Sequence, residues 1–362
     1  MKVAHVFKDF WPPVAAGITR YVADIADECA RRGCEVEVHV AGVRRSRRDV
    51  LPSGVVIHRH REFARILSSP LSPGLVRDAR RIEADIIHVH MPNPLGELGA
   101  LLGRPGRPLV ASFHAQLGRQ KRLAPIYAPL QQRVLARSSA VLVASESLAQ
   151  VPEVRVAADR LHVLPYGVSP QFARVEPAAP NGSGALRVLF VGRLVYYKGV
   201  DVLLRATAQL EGVNLTIVGD GPLRGELERT ARHLGVDRTT RFLGALDDDD
   251  LLHEYRNHDV FVLPSVSRAE AFGLAMAEAM CSGLPAVSTR LGTATDWVNH
   301  EGKSGMIVPP GDADALARAI DRLRAPDVRR RLGDGARTRA LQLFSFARHA
   351  DGLLDVYRHV LR

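Results

Sequence analysis

The sequence predicts an α/β protein made of two doubly wound, Rossmann-like domains. Short apolar runs rich in β-branched residues alternate with longer helical patterns along the whole chain, which is typical of parallel sheets covered by helices. A segment rich in Pro, Gly and small residues, SPQFARVEPAAPNGSGA, divides these runs into two similar sets. The chain has 362 residues and is 46% hydrophobic, which is enough for two separate cores.

The two sets of predicted strands define the domain limits. We expect an N-terminal domain over residues 1–168, a linker over 169–185 and a C-terminal domain over 186–344. The N-terminal strands are expected at 3–7, 35–42, 55–60, 85–90, 108–114, 140–145 and 161–168. The C-terminal strands are expected at 186–193, 214–221, 240–246, 259–265, 285–292 and 304–309. Because ligands of such sheets bind beyond the carboxyl ends of the strands, we expect the two domains to face an interdomain cleft.

Positive charge is concentrated in the N-terminal part of the chain. The net charge is +10; residues 1–140 contain 22 Lys and Arg against 12 Asp and Glu, whereas residues 141–362 contain 27 of each kind. Such asymmetry is compatible with nucleic acid, an anionic membrane surface or a phosphorylated substrate as partner. A coding bias toward arginine would produce the same excess.

The sequence contains no segment typical of a membrane span or a secretory signal. No apolar run reaches 18 residues, and the start MKVAHVFKDFWPP lacks a long apolar stretch, so we expect a cytoplasmic protein. The three cysteines, Cys29, Cys34 and Cys281, lack metal-type spacing. They are expected to be buried thiols and not disulfides or zinc ligands.

The segment SRAEAFGLAMAEAM contains two glutamates, Glu270 and Glu278, eight residues apart. On one helix they would be separated by about 12 Å along the axis, too far to share a small site. Gly273 disfavours a helix interior whereas the residues after it favour one, so Glu270 is predicted in a loop and the helix is predicted to begin near Phe272. The unpaired amides at the helix start would then lie between the carboxylates. This arrangement suits an extended ligand with hydroxyls at both ends and an anionic middle, such as a nucleotide sugar.

Two basic residues follow the first strand of the predicted C-terminal domain, in GRLVYYKG. Arg193 lies at the carboxyl end of that strand and Lys198 precedes the next helix, so both are expected at the same end of the sheet. A guanidinium fork and an ammonium point charge suit a diphosphate. In the N-terminal domain, Gly17 precedes an amphipathic helix and either lets the backbone approach a phosphate or only forms a tight turn.

Several histidines lie on predicted strands. His114 ends the strand VASFH, where it has either a structural role or a catalytic, sugar-contacting one. His88 and His90 share one strand face, as do His58 and His60. No cysteine or carboxylate cluster accompanies them in the sequence, so we expect no metal site there.

Two further motifs have simple structural interpretations. The run DDDD at 247–250 precedes a helical pattern and is interpreted as a helix cap and first turn. The turn VGDGP at 218–222 does not match G-x-G-x-x-G, and Pro222 is predicted at the first position of a helix. Neither motif predicts a metal or a nicotinamide cofactor.

Taken together, these motifs resemble one family: retaining, nucleotide-sugar glycosyltransferases of family 4, with the GT-B fold. The resemblance covers nearly the whole chain, through HVHMPNP, SFH, VGRLVYYKG, VGDGP, FLG, EAFGLAMAEAMCSGLPAV and the final FSFARHADGLLDVYRHVL. The block with two glutamates eight apart and its apolar surroundings is the most specific of these motifs.

The resemblance implies a role for each residue of the donor site. Glu270 would contact the hydroxyls of the donor hexose, and Glu278 those of the ribose. Arg193 and Lys198 would hold the diphosphate. Three backbone amides would complete the diphosphate site: those of Phe272, Gly273 and Leu274.

The resemblance also implies roles for the N-terminal domain. His114 matches a histidine near the transferred sugar, and Gly17 matches the second of two glycines in the family's loop. Ala16 replaces the first glycine, a departure that adds one methyl group. The C-terminal helix, at about 345–362, is expected to cross back onto the N-terminal domain.

The implied reaction moves a hexosyl group from a UDP- or GDP-linked sugar to an acceptor hydroxyl, with retention at the anomeric carbon. Positive groups would stabilise the leaving diphosphate, with neither a metal nor another cofactor. We expect a lipid-linked or other membrane-borne glycan acceptor and an anionic membrane surface as partners, and no nucleic acid. A soluble small-molecule acceptor is the alternative.

Three other classes of protein share part of these features. A nucleotide-sugar epimerase has the same architecture and donor, but needs no acceptor. A nicotinamide-dependent oxidoreductase would require the dinucleotide fingerprint, which is not matched. A nucleic-acid-binding protein would explain the basic half, but the sequence contains no recognised binding module.

Overall fold

The computed structural model describes residues 1–11, 17–66, 69–104, 106–116, 124–175 and 184–362. The chain divides into two compact units, Met1–Tyr166 with Ala347–Arg362, and Gly167–Phe346. Each unit has a parallel sheet flanked by helices, so the prediction of two doubly wound α/β domains is confirmed. No helix among the described residues is both long enough and apolar enough to span a membrane.

The first unit contains ten strands and six helices among its described residues. The strands are β1 (Lys2–Val6), β2 (Glu35–Val43), β3 (Arg47–Val50), β4 (Val56–Arg61), β5 (Ala64–Ile66), β6 (Ser69–Leu71), β7 (Ile86–Met91), β8 (Leu109–Phe113), β9 (Ala140–Val143) and β10 (Leu161–Val163). The helices are α1 (Gly17–Arg31), α2 (Pro73–Ala79), α3 (Pro94–Leu101), α4 (Ala124–Arg137), α5 (Glu146–Ala149) and α14 (Phe346–Val360), with a 3₁₀ segment at Pro152–Arg160.

The main sheet of the first unit has the order β10-β9-β8-β7-β1-β2-β4-β3. All neighbouring strands are parallel except β3, which pairs antiparallel with β4, and β5 and β6 form a separate antiparallel pair. The central strands β1, β7 and β8 consist largely of buried β-branched and small residues, as strands covered on both faces require. Helix α14 belongs to this unit, where Asp351 pairs with Arg32, the residue just after α1.

In its described part, the second unit contains six strands and eight helices. The strands are β11 (Leu186–Val191), β12 (Val213–Val218), β13 (Thr240–Gly244), β14 (Val260–Leu263), β15 (Ala286–Thr289) and β16 (Gly305–Val308). The helices are α6 (Pro170–Ala173), α7 (Val200–Thr207), α8 (Arg224–His233), α9 (Asp248–Asn257), α10 (Leu274–Cys281), α11 (Thr295–Val298), α12 (Ala313–Arg322) and α13 (Pro326–Leu343), with a 3₁₀ turn at Tyr196–Lys198.

The second sheet has the order β13-β12-β11-β14-β15-β16, and all its strands are parallel. The direction of winding reverses between β11 and β14. A reversal of this kind leaves a crevice at the carboxyl ends of the two strands, where the loops diverge to opposite faces of the sheet. The loops after β11 and β14 therefore lie where a doubly wound sheet binds its ligand.

The structure corrects several boundaries expected from the sequence. The strand expected at 161–168 ends at Val163, and β3, β5 and β6 were not predicted. The first part of the expected linker, 169–175, belongs to the second unit, because Phe172 of α6 is buried and packs edge-on against Tyr255. Residues 176–183 lie outside the described residues. Cys34 is only half-buried, unlike the other two cysteines.

Candidate active site

A buried ion pair joins the loops at the winding reversal of the second unit. The Nζ atom of Lys198, in the 3₁₀ turn after β11, lies 2.6 Å from Oε2 of Glu270, in the loop after β14. Their side chains are only 12% and 10% exposed. Ser265 donates a hydrogen bond from Oγ to the same carboxylate oxygen, at 3.0 Å. Lys198 and Glu270, which were selected from two separate motifs of the sequence, are thus in direct contact.

The surroundings of Lys198 stabilise the protonated, positively charged form of its side chain. Burial by itself lowers the pKa of Lys198, but the carboxylate of Glu270, with Tyr197 and Glu278, raises it above its ordinary value. A buried ammonium is stable only when paired, so the Lys198–Glu270 contact is needed to keep either charge in this position. The pair places a positive group and a hydrogen-bond acceptor side by side at the carboxyl ends of β11 and β14.

Glu278 lies on α10 and is held by a residue from another helix. The hydroxyl of Tyr255, on α9, donates to Oε2 of Glu278 at 2.9 Å. Tyr255 is fully buried, so this bond fixes the direction in which the half-buried carboxylate points. The charge of Glu278 also raises the pKa of Lys198, by the smallest of the contributions that act on it.

Helix α10 begins at Leu274, two residues later than predicted. Gly273 takes a left-handed conformation, with φ of 83°, and an added Cβ would approach Cδ2 of Leu263 to 2.9 Å. A glycine is therefore required to turn the chain from the Glu270 loop into the helix. The N-cap residue of this helix, Gly273, has no side chain with which to cap it, and Phe272 just before it is buried.

Arg193 follows β11 on the exposed side of the same loop. The neighbouring turn at 218–222 packs against this loop through backbone: an added Cβ on Gly219 would lie 2.1 Å from the carbonyl oxygen of Gly192. This close approach explains the glycines of VGDGP without a dinucleotide. Pro222 is not the first residue of a helix, since α8 begins at Arg224.

His114 follows β8 in the first unit and is almost fully buried. Its Nε2 lies 3.0 Å from Nδ1 of His90, and its Nδ1 lies 2.5 Å from the hydroxyl of Tyr166. His90 in turn is bonded through Nε2 to Nδ1 of His5, at 3.0 Å. Burial, together with Lys8, lowers the pKa of His114 to about 3, so the ring is neutral. In this conformation both ring nitrogens of His114 are engaged within the protein.

The remaining predictions concern Gly17, the acidic run at 247–250 and His88. Gly17 is the exposed first residue of α1, and Ala16 lies outside the described residues. The capping interpretation of the acidic run is confirmed, because Asp247 accepts a hydrogen bond from the amide of Asp250 at 2.9 Å at the start of α9. His88 bonds the hydroxyls of Ser112 and Tyr357 through its two ring nitrogens.

Sequence reasoning missed the residues that support the predicted ones. Ser265 and Tyr255 contact Glu270 and Glu278 in the second unit, and Tyr166 and His90 contact His114 in the first. Ser265 lies two residues after the end of β14, a position that could have indicated its role. Nothing in the sequence around Tyr255 indicates that its hydroxyl reaches a helix that follows later in the chain.

Two family models match the chain. The model described as Glycosyltransferase Family 4 matches residues 15–172, and the model described as Glycosyl transferases group 1 matches residues 176–339. The chain is 30% identical to O-antigen chain mannosyltransferase C of Escherichia coli, over 99% of this chain and 97% of the relative. It is 31% identical to the D-rhamnosyltransferase WbpZ of Pseudomonas aeruginosa, over 95% and 92%.

Solved structures show the same fold. Sucrose-phosphate synthase from Thermosynechococcus elongatus matches with a TM-score of 0.85 at 21% identity, over 99% of both chains. HepE of Anabaena, in complex with UDP and glucose, matches with a TM-score of 0.79 at 20% identity, also over 99% of both chains. With the full-length relatives and the two family models, these matches establish that the chain is a glycosyltransferase of the family 4 type with the GT-B fold.

Proposed function

We propose that this enzyme transfers a hexosyl group from a UDP- or GDP-linked sugar to an acceptor hydroxyl with retention of configuration. The observation that carries the proposal is the buried Lys198–Glu270 pair beside the uncapped start of α10, at the carboxyl ends of β11 and β14. A cation, a carboxylate and the amides of a helix start in one crevice match the diphosphate and hydroxyls of a nucleotide sugar.

Arg193, Lys198 and the first amides of α10 bind the diphosphate in this proposal. Breaking the sugar–phosphate bond increases the negative charge on the leaving diphosphate. Positive groups that are already in place stabilise this charge more strongly in the transition state than in the bound donor. The buried position of Lys198 strengthens the effect, because the surrounding protein screens its charge less than water would. In the proposed reaction these groups stabilise the leaving diphosphate without a metal ion.

Glu270 binds the hexose in this proposal. Lys198 and Ser265 both approach Oε2, and no protein donor among the described residues bonds Oε1. Oε1 can then accept hydrogen bonds from two sugar hydroxyls. Because the carboxylate is fixed on one side by Lys198 and Ser265, it is oriented before the sugar arrives, which lowers the cost of positioning the anomeric carbon.

Glu278 binds the ribose hydroxyls at the other end of the donor. Tyr255 orients its carboxylate through the 2.9 Å hydrogen bond, and the helix start lies between Glu278 and Glu270 in sequence. In this proposal the backbone at Gly17 approaches a phosphate of the donor, and His114 contacts the transferred sugar. For His114, that contact requires either its backbone or a ring nitrogen released from Tyr166 or His90.

The acceptor in this proposal is a membrane-borne glycan precursor of polysaccharide or glycolipid assembly. The O-antigen chain mannosyltransferase to which the chain is similar supports this substrate class. The first unit exposes a basic surface next to apolar side chains: Phe63 is 61% exposed, with the guanidinium of Arg61 4.3 Å from its ring centre. Four exposed arginines come earlier in the chain, just before β3 or within it: Arg44, Arg45, Arg47 and Arg48.

This surface suits the cytoplasmic face of an anionic membrane. Each Lys or Arg near such a surface contributes about 1 kcal/mol, and the attraction fades over a Debye length of roughly 8 Å at physiological salt. Four or more such residues would hold the enzyme reversibly without an anchor. The basic run at 119–122 lies outside the described residues.

The transfer reaction is tested with a panel of labelled UDP-, GDP- and ADP-sugars and membrane-extracted or synthetic glycan acceptors. We expect nucleotide release that depends on acceptor, persists in excess EDTA and gives a product with the anomeric configuration of the donor. Release of a rearranged sugar without acceptor would indicate an epimerase instead. Loss of activity in EDTA, restored by magnesium or manganese, would contradict the metal-free part of the proposal.

A further inference from the structure

A cluster of metal-ligand side chains lies on two neighbouring strands of the first unit. Glu37 and His39 are two residues apart on β2 and therefore on the same face of the sheet. His58, on β4, is directly opposite His39 in the parallel register. We call these three residues the β2/β4 cluster. They lie on the sheet face opposite to His5, because the register partner of His5 is Val38.

Three of the four imidazole nitrogens of this cluster are buried without a hydrogen-bond partner among the described residues. Both ring nitrogens of His39, and Nε2 of His58, are buried and make no hydrogen bond among the described residues. His39 is only 5% exposed, and its Nε2 lies 3.5 Å from Oε2 of Glu37, which is long for a hydrogen bond. A buried polar atom without a partner costs about 1–3 kcal/mol, so several together need an explanation.

A second group of histidines in the same unit provides a contrast. The candidate ligand atoms of His5, His88 and His90 also lie within 4.8 Å of one another. There, both nitrogens of His88 and both of His90 are used in hydrogen bonds, and Nε2 of His5 alone is unpartnered. That group is a closed hydrogen-bond network, whereas the β2/β4 cluster presents ligand atoms that the protein leaves unused.

We infer that the β2/β4 cluster binds a divalent cation of the Zn²⁺ class. One carboxylate and two imidazoles from two adjacent strands supply the three protein ligands that such an ion accepts, with water in the fourth position. The ligand atoms all lie within 4.8 Å of one another. A tetrahedral ion with bonds of about 2.0–2.2 Å would hold its ligand atoms about 3.4 Å from one another. Rotation about side-chain bonds alone would bring the three ligand atoms to this spacing.

The present side-chain positions show what must change on binding. The rings of His39 and His58 are stacked, with centroids 4.5 Å apart and planes 9° apart, so one ring must turn for both lone pairs to converge. Glu37 is already oriented: Lys2 holds Oε1 at 2.7 Å and leaves Oε2 toward His39. A partner on the non-ligating oxygen is the usual support for a carboxylate ligand.

A third histidine, His60, follows His58 on the same face of β4. His60 is buried, its Nε2 is also unpartnered, and its Nδ1 lies 3.5 Å from Oδ2 of Asp78 on α2. Its ring is stacked near that of His39, with centroids 5.8 Å apart. The sequence alone favoured no metal at His58 and His60, because no cysteine or carboxylate cluster accompanies them in the chain. The fold supplies Glu37 from the neighbouring strand. The ion would join β2 to β4 near the sheet edge and have no part in sugar transfer.

The test is a metal titration of untagged protein that has been freed of metal with a chelator and then dialysed. Calorimetry with Zn²⁺ should give one ion per chain, with a Kd of about 1 μM or below. Saturating Zn²⁺ should raise the Tm by about 3 °C or more. Co²⁺ should give the visible absorption bands of a tetrahedral site. Transfer activity at 25 °C should be the same with and without the ion.

Variants assign the ion to this cluster. Glu37→Gln, His39→Asn and His58→Asn should each weaken Zn²⁺ binding at least tenfold, whereas His253→Asn, an exposed histidine of α9, should leave it unchanged. Glu37→Gln changes a partly exposed side chain and keeps its shape, so it tests the site even if a histidine variant fails to fold. The inference is wrong if the wild-type protein binds no stoichiometric Zn²⁺, or if folded Glu37→Gln binds it with unchanged affinity.

Discussion

Lys198 and Glu270 form an ion pair of 2.6 Å that connects the loops after β11 and β14. The pair is buried, and Ser265 shares the carboxylate oxygen that faces Lys198. Because β11 and β14 are the strands between which the winding direction reverses, this contact occupies the ligand-binding position of the second sheet. If this crevice binds the donor as proposed, the side chains around the pair should have separable effects on donor binding and on turnover.

The two glutamates of the α10 region should differ in their effects. Glu270→Ala should lower kcat at least 100-fold, which is about 2.7 kcal/mol of transition-state stabilisation, because it removes the group that positions the hexose. Glu278→Ala should mainly raise the KM for the donor. Steady-state kinetics of both variants with the preferred donor provide the comparison. Small and equal losses in both would be incompatible with the two ends of an extended ligand.

Tyr255 should affect the donor only through Glu278. Tyr255→Phe removes the 2.9 Å hydrogen bond to Glu278 and retains the ring that packs against Phe172. A hydrogen bond to a charged group is worth about 1.5–3 kcal/mol, so donor affinity should fall at least tenfold while kcat changes little. The double variant Tyr255→Phe, Glu278→Ala should bind donor no more weakly than Glu278→Ala alone. Additive losses would show that Tyr255 acts by another route.

The stability of the first unit should decrease as the pH falls from about 6.5 to about 4. Burial lowers the pKa of His5 and His349 to about 4, so between these values the unfolded histidines bind protons that the folded ones do not. Stability gained from the neutral buried rings is complete above the unfolded pKa of about 6.5 and is lost below it, by about 1–2 kcal/mol for each residue at pH 5.

Urea unfolding of the first unit at pH 7.5 and pH 5 measures this dependence. In His349→Gln, the difference in unfolding free energy between the two pH values should shrink, whereas in His253→Gln, which changes an exposed residue, it should not. Equal stability of the wild-type protein at the two pH values would show that the buried histidines titrate normally.

Membrane docking should depend on the arginines before and within β3. Sedimentation with liposomes should require phosphatidylglycerol and should weaken at high salt, because the attraction is electrostatic. Replacing Arg44, Arg45, Arg47 and Arg48 together by Gln should abolish it. Replacing four exposed arginines of the second unit, Arg229, Arg232, Arg238 and Arg241, controls for total charge, and this variant should still bind. Pelleting that does not depend on anionic lipid would refute docking while leaving the transfer reaction unaffected.

The sequence predicted the central strands well because their burial is visible in the residues. β1, β7, β11 and β14 are short runs of β-branched and apolar residues, the pattern of a strand covered on both faces. β3 has no such pattern: Arg47–Val50 is mostly exposed, and it is a strand only because β4 offers an unpaired edge. Similarly, α10 begins at Leu274 because Gly273 must turn left-handed against Leu263, a contact that sequence cannot show.

In the candidate active site, too, the local pattern of the sequence indicates some residues, whereas those that act through tertiary contacts leave no local signal. Glu270 could be chosen from its spacing to Glu278, and Lys198 because it follows the first strand of the C-terminal domain. Tyr255 could not, because its role depends on how α9 packs against α10. For His114 the strand end was recognised, but the engagement of both ring nitrogens by His90 and Tyr166 depends on tertiary contacts.

The most direct test of the central claim is calorimetric binding of UDP- and GDP-sugars to Lys198→Ala. With the preferred donor, this variant should bind at least 100-fold more weakly than the wild-type protein, because it removes the buried cation that faces the diphosphate. Arg205→Ala, which breaks an exposed pair with Asp201 on α7, is the matched control and should bind normally. Unchanged donor affinity in a folded Lys198→Ala protein would contradict the assignment of this crevice as the nucleotide-sugar site.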